Sequence, residues 1–89
     1  MEQRNLTVYD YISHNPFGTD HIKLEDYFSN RLIAKTRKGS EPYLNCRVYQ
    51  WHLIIELLGT SHKNMAVPVL VLEIDGDEAR KAKMEAAKK

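Results

Sequence analysis

"TDHIKLEDYFSNRLIAKTR", residues 19 to 37, decides how the rest of the chain is read. Leu24, Tyr27, Phe28 and Leu32 recur at helical spacing. The stretch therefore predicts an amphipathic helix with one apolar stripe, extended by Ile22 and Ile33. Thr19 or Asp20 is placed to cap its start, and Glu25 and Asp26 fall on the opposite, wet side. Its end carries Arg31, Lys35, Arg37 and Lys38, where a helix dipole favours cations. Gly39 then suits the left-handed residue that stops a helix. If the helix ends near Leu32, "IAKTR" becomes available as a strand.

Upstream, "NLTVYDYISHNP", residues 5 to 16, reads as a short helix with Leu6, Tyr9 and Ile12 on one face and Asn5 as its cap. A short strand competes, because Leu6, Val8 and the tyrosines tolerate extended structure. Asn15-Pro16 and Gly18 end either element. Downstream, "PYLNCRVYQWHLIIELL", residues 42 to 58, scatters its polar residues to two sides of a helix. As a strand, Trp51, Leu53, Ile55 and Leu57 alternate with Gln50, His52, Ile54 and Glu56. The first set is expected to face the core. The polar parity switches between Arg47 and Gln50, which predicts a bulge near Tyr49.

"GTSHKNM" reads as a polar connection and "AVPVLVLEID" as a second strand, with Pro68 at an edge or at the strand's start. Together they make a long antiparallel hairpin. "DGDEARKAKMEAAKK" is rich in helix formers, with acidic residues first and lysines last, as the dipole prefers. Its apolar face is only Ala79, Ala82 and Ala86, so it buries little area. The expectation is an α+β fold. Residues 1–76 form a small single domain with N-terminal helices and an antiparallel hairpin or three-stranded sheet. Residues 77–89 form a charged C-terminal helix or tail.

Composition bounds the function. With 89 residues, 43% apolar and 28% charged, the chain has the make-up of one ordinary globular domain with a small core. A net charge of +1 argues against a strong general pull toward nucleic acid or a membrane. The charge is nonetheless uneven. Residues 1 to 30 hold two basic and five acidic side chains, and residues 31 to 47 hold five basic and one acidic. One cysteine excludes an intramolecular disulfide. "MEQRNLTVYDY" lacks a signal-peptide core, and the apolar runs are too short to span a bilayer. The expected setting is cytoplasmic.

Catalytic chemistry finds little to work with. Cys46 and His52 stand about 20 Å apart along an extended strand, beyond the reach of a nucleophile–base pair. His14, His21, His52 and His62 are scattered without the close spacing of a compact zinc site. Glu25 and Asp26 are adjacent, so on a helix they diverge. The glycines stand alone, with no phosphate-cradling loop. The expectation is a non-enzymatic protein without metal or cofactor.

Two classes of partner remain. Lys35, Arg37, Lys38 and Arg47, with Arg80, Lys81 and Lys83 of the terminal helix, are candidates for contacting nucleic-acid phosphates. Tyr43 and Tyr49 flank Arg47 and are the aromatics expected at the surface, where unpaired bases stack. "ARKAKMEAA", residues 79 to 87, resembles the final helix of double-stranded-RNA-binding domains. "NLTVYDY", "DHIKLEDYFSNRLI" and "PYL" look similar in order to the helices and wing of small winged-helix excisionases. Both resemblances imply nucleic acid. The basic residues, with these resemblances added, lead to the first reading, a small and regulatory nucleic-acid-binding protein, DNA or RNA. The alternative is a protein-binding inhibitor or adaptor module acting through a strand edge or apolar patch, with a homodimer as its variant.

Overall fold

Period-two alternation, not helical spacing, governs residues 22 to 34. The computed structural model describes residues 6–15, 18, 20–60 and 63–88. In it the expected long helix is replaced by strand β1 (Ile22–Asp26), a turn, and strand β2 (Leu32–Ala34). Ile22 and Leu24 are almost fully buried. On a helix these two would point about 200° apart, whereas an extended chain sets both on one face. The proposed stripe fails at its other members, since Tyr27, Phe28 and Leu32 are exposed.

Asp26 makes the turn. Its Oδ1 accepts from the Phe28 N–H at 3.0 Å, and its Oδ2 accepts from the Ser29 hydroxyl at 2.8 Å. Asn30 closes the turn with φ 60°, a left-handed conformation that asparagine tolerates. The Phe28 N–H and then the Ser29 hydroxyl hold the Asp26 carboxyl below its ordinary value of 3.8. A depressed folded value means stability that is present above pH 3.8 and is lost as pH falls through the folded value. Melting temperature should therefore drop on acidification below that point. The drop should be shallower in Asp26→Asn, measured by thermal melts across an acid pH series.

Gly39 does not end a helix. It lies inside a short 3-10 helix (Lys38–Tyr43), and Gly18 is the described glycine with positive φ. Thr36 holds this segment: its Oγ1 accepts from the Gly39 N–H at 2.9 Å, and its carbonyl accepts from the Ser40 hydroxyl at 2.8 Å. The basic residues therefore decorate a turn, with no long-helix dipole to explain them.

Helix α1 (Val8–Ser13) is shorter than expected and is the single α-helix described before β1. Thr7 caps it in a reciprocal box: the Thr7 hydroxyl accepts from the Asp10 N–H, and the Asp10 carboxylate accepts from the Thr7 N–H at 2.8 Å. Asn5 and Pro16, the expected cap and stop, lie outside the described residues.

Strand β3 (Val48–Thr60) begins later than residue 42, because residues 42 and 43 belong to the 3-10 helix. The expected bulge is present, between Val48 and Gln50. Strand β4 (Lys63–Ile74) is longer than predicted, so the strands run through most of "GTSHKNM". The sheet order is β2-β1-β4-β3. It is four-stranded and mixed: the hairpin pairs are antiparallel, while β1 runs parallel to β4. The protein is thus a small compact α+β domain.

Pro68 sits in an interior strand, opposite Ile55, rather than at an edge. The reason lies in backbone alternation. The Leu70 N–H donates to the His21 carbonyl, on the β1 side, at 3.0 Å. The Pro68 nitrogen, two residues earlier, faces the same side, before β1 begins. No ladder bond is lost there.

One face of the sheet carries the core. Ile22, Leu24, Ala34, Val48, Leu70, Leu72 and Ile74 pack with Val8 of α1, Tyr43 and Cys46. Helix α2 (Gly76–Ala87) docks on the same cluster through Ala79 and Ala82, whose small side chains permit close approach. Asp75 caps it, accepting from the Asp77 N–H at 2.9 Å. The Glu78 Oε1 accepts from the Arg47 N–H at 2.8 Å, tying the helix to the approach of β3. On the other face Val69 and Val71 are buried, and the Lys23–Glu56 ion pair of 2.7 Å crosses over β4 from β1 to β3.

Candidate functional site

The outer strand departs most from expectation. Trp51, Leu53, Ile55 and Leu57 do share one face, since each stands directly opposite Leu72, Leu70, Pro68 or Ala66 of β4. They are not core. Their exposures are 44, 39, 65 and 71%. Among the described residues, the core cluster that the helices cover lies on β1, β2 and the second half of β4 and takes in only Val48 of β3. The two alanines of α2 and the six residues of α1 are too little material to reach further.

Beta-strand β3 is also an edge. Segment 6–8 covers its approach, with the Val48 N–H donating to the Leu6 carbonyl at 2.8 Å and Thr7 bridging Arg47. Beyond that, among the described residues, no strand pairs with its outer side. Because Leu70 turns its N–H toward β1, Leu70 and Leu53 form a non-hydrogen-bonded pair in the hairpin ladder. By the same alternation the N–H and C=O groups of Leu53, Ile55 and Leu57 point away from β4. From Ile54 onward the hairpin also runs past the end of β1, so it continues as a two-stranded ribbon. Such a ribbon is marginal in water unless its apolar side chains find cover.

The basic candidates are placed as follows. Lys35 and Arg37 are exposed at the turn between β2 and the 3-10 helix, and Lys38 is exposed as the first residue of that helix. Arg37 lies 3.7 Å from the Asp20 carboxylate. Arg80, Lys81 and Lys83 are exposed on α2, and Arg80 pairs with Asp77 at 2.6 Å. Helix α2 packs against the 3-10 helix that follows the basic turn. A cavity of about 590 Å³ between α1 and the 3-10 helix is lined by Tyr9, Ile12, Arg37, Lys38, Glu41 and Leu44. Carboxylates from Asp20 and Glu41 temper its charge.

Arg47 is tied to α2 through the bond from its backbone N–H to Glu78. Its guanidinium lies 4.8 Å from the centre of the Tyr49 ring. Tyr49 stacks on Tyr27 at 5.3 Å, and Phe28 meets both rings edge-on. Tyr49 is exposed as expected, but Tyr43 is buried in the core. By spacing alone Tyr27 and Phe28 fall on a helical core stripe. The signal that would have placed them at the surface is "DYFSN" itself, an aspartate followed by turn formers.

Cys46 is buried, and burial, followed by the charge of Glu78 beside it, pushes its thiol up to about 12. It stays protonated near neutral pH. Among the described residues no group of three histidine, cysteine, aspartate or glutamate side chains is arranged to hold a metal ion, and no helix is long and apolar enough to cross a membrane. The chain matches no family model, no curated protein and no solved structure.

Proposed function

We propose that this is a protein-binding module that works through the outer edge of β3 and the apolar row on it. The observation that carries the reading is the coincidence of two features on one segment. Leu53, Ile55 and Leu57 present outward backbone groups and exposed apolar side chains together. Strand addition uses both: the backbone supplies affinity, and alternate side chains supply selectivity. Soluble proteins normally blunt such an edge with lysine, proline or a cover. Residues 51 to 57 contain neither residue.

The test compares baits in nuclease-treated extract. Protein captured by the wild-type chain should be lost with Ile55→Lys, which puts a charge on the edge at an exposed position. It should be kept with Lys38→Glu. Equal capture by all three baits would defeat the reading.

Nucleic-acid binding is the second reading, supported by the Arg47–Tyr49–Tyr27 stack and by the packing of α2 on the 3-10 helix that follows the basic turn. Aromatic faces beside arginine suit unpaired bases, and lysines suit phosphate. A low-salt gel-shift assay with mixed DNA and RNA tests it. Retardation weakened by Arg37→Glu with Lys38→Glu supports this reading, and no retardation removes it.

A further inference from the structure

We infer that the occupant of the β3 edge is a second copy of this chain, paired antiparallel about a twofold axis at Ile54. The inference rests on the protein-binding reading and names its partner. Antiparallel strands place residues of like facing directly opposite one another, so a symmetric pairing must centre on a residue to keep the apolar row continuous. Centring on Ile54 sets His52 opposite Glu56 of the copy, and Glu56 opposite its His52. Moving the centre to Leu53 or Ile55 leaves His52 opposite an apolar residue. Centring on Glu56 sets carboxylate against carboxylate, which is unfavourable, and centring on His52 leaves Glu56 opposite Val48. Electrostatic complementarity between the His52 ring N–H, a donor, and the Glu56 carboxylate, an acceptor, therefore selects one register.

The same register completes the apolar row. Trp51 meets Leu57 of the copy and Leu53 meets its Ile55, and the twofold repeats both pairs. Leu53 and Ile55 carry outward backbone groups, so they form the hydrogen-bonded pairs of the joint. His52 and Glu56 then occupy the non-hydrogen-bonded pairs, where Cα atoms approach to about 4.5 Å and side chains meet most closely. The Lys23–Glu56 and His52–Glu73 contacts, at 2.7 and 3.9 Å, place both joint residues among polar partners on that face. The result is a continuous eight-stranded sheet, four strands from each copy.

Sedimentation equilibrium of the full chain over a dilution series should give twice 10.4 kDa at the concentrated end and dissociation on dilution. Ile55→Lys should weaken the dimer at least tenfold while keeping the wild-type circular-dichroism spectrum. The register has its own test. Ile54→Cys places a thiol opposite its copy at a spacing a disulfide accepts, so mild oxidation should trap a covalent dimer. Leu53→Cys, offset from its own copy, should not. Cys46 is buried and does not compete. A mass of 10.4 kDa at every concentration overturns the inference, as does cross-linking by Leu53→Cys but not by Ile54→Cys. If the chain is monomeric yet the Ile55-dependent capture persists, self-pairing falls and the protein-binding reading stands.

Discussion

Leu72→Ala is expected to lower the unfolding free energy by about 3 kcal/mol, the usual scale for a leucine deleted from a packed core. Leu72 is fully buried on β4, between Leu24 of β1 and Trp51 of β3. It sits where both hairpin and parallel pairing converge, so neighbours on either side are held by hydrogen bonds and cannot collapse into the space. A domain of this length has only about 4–13 kcal/mol in total. The melting temperature should fall by roughly 15 °C. Urea denaturation should be run in the Ile55→Lys background, so that any linkage to association is removed. Leu57→Ala, at an exposed site, is the contrast and should change stability by about 0.5 kcal/mol or less. A loss below about 1 kcal/mol for Leu72→Ala would mean that the hairpin, not the layered core, carries the fold.

Gly76→Ala should destabilise the protein by about 2 kcal/mol, against the usual gain for alanine in a helix. Gly76 has no left-handed backbone to explain it. It is the close approach that forbids a side chain: a Cβ there would meet Asp26 Oδ2, with Asp26 Cγ at 2.8 Å. Asp26 cannot simply swing aside, because its oxygens bind the Phe28 N–H and the Ser29 hydroxyl as well as the Gly76 N–H at 3.2 Å. One carboxylate thus joins the β1–β2 turn to the first turn of α2. The double-mutant cycle is decisive. In an Asp26→Ala background, Gly76→Ala should become neutral or stabilising. If it costs the same in both backgrounds, the clash is not the cause.

The hairpin and the C-terminal helix were legible because each has one dominant signal. In β3 and β4 that signal is β-branched alternation, and the bulge announces itself as a change of polar parity. In α2 it is composition. Residues 19 to 37 misled because Leu24, Tyr27, Phe28 and Leu32 satisfy a helical period by coincidence, while Ile22 and Leu24 satisfy a strand period that burial rewards. Choosing between them needs β4, whose Leu70 and Leu72 supply the neighbours that make an extended Ile22 and Leu24 worthwhile. The parallel β1–β4 pairing is equally non-local. The basic cluster is legible in the sequence, but it follows a three-residue strand and runs into a 3-10 helix, where helical spacing implies the end of a long helix. The apolar row on β3 was found as a row, and its exposure depends on how far two small helices reach.

Pro68 gives the projecting hairpin a direction. With no N–H to offer on the β1 side, that flank of the ribbon resists recruitment of another strand, while the β3 flank invites it. Three-residue β2, at the far margin of the sheet, is a poor template as well. In the proposed pairing two copies consume the β3 margin in each other, and among the described residues no equally receptive margin remains for growth. For the proposed dimer the imino ring would then be a stopping rule, separating a finite assembly from a fibre.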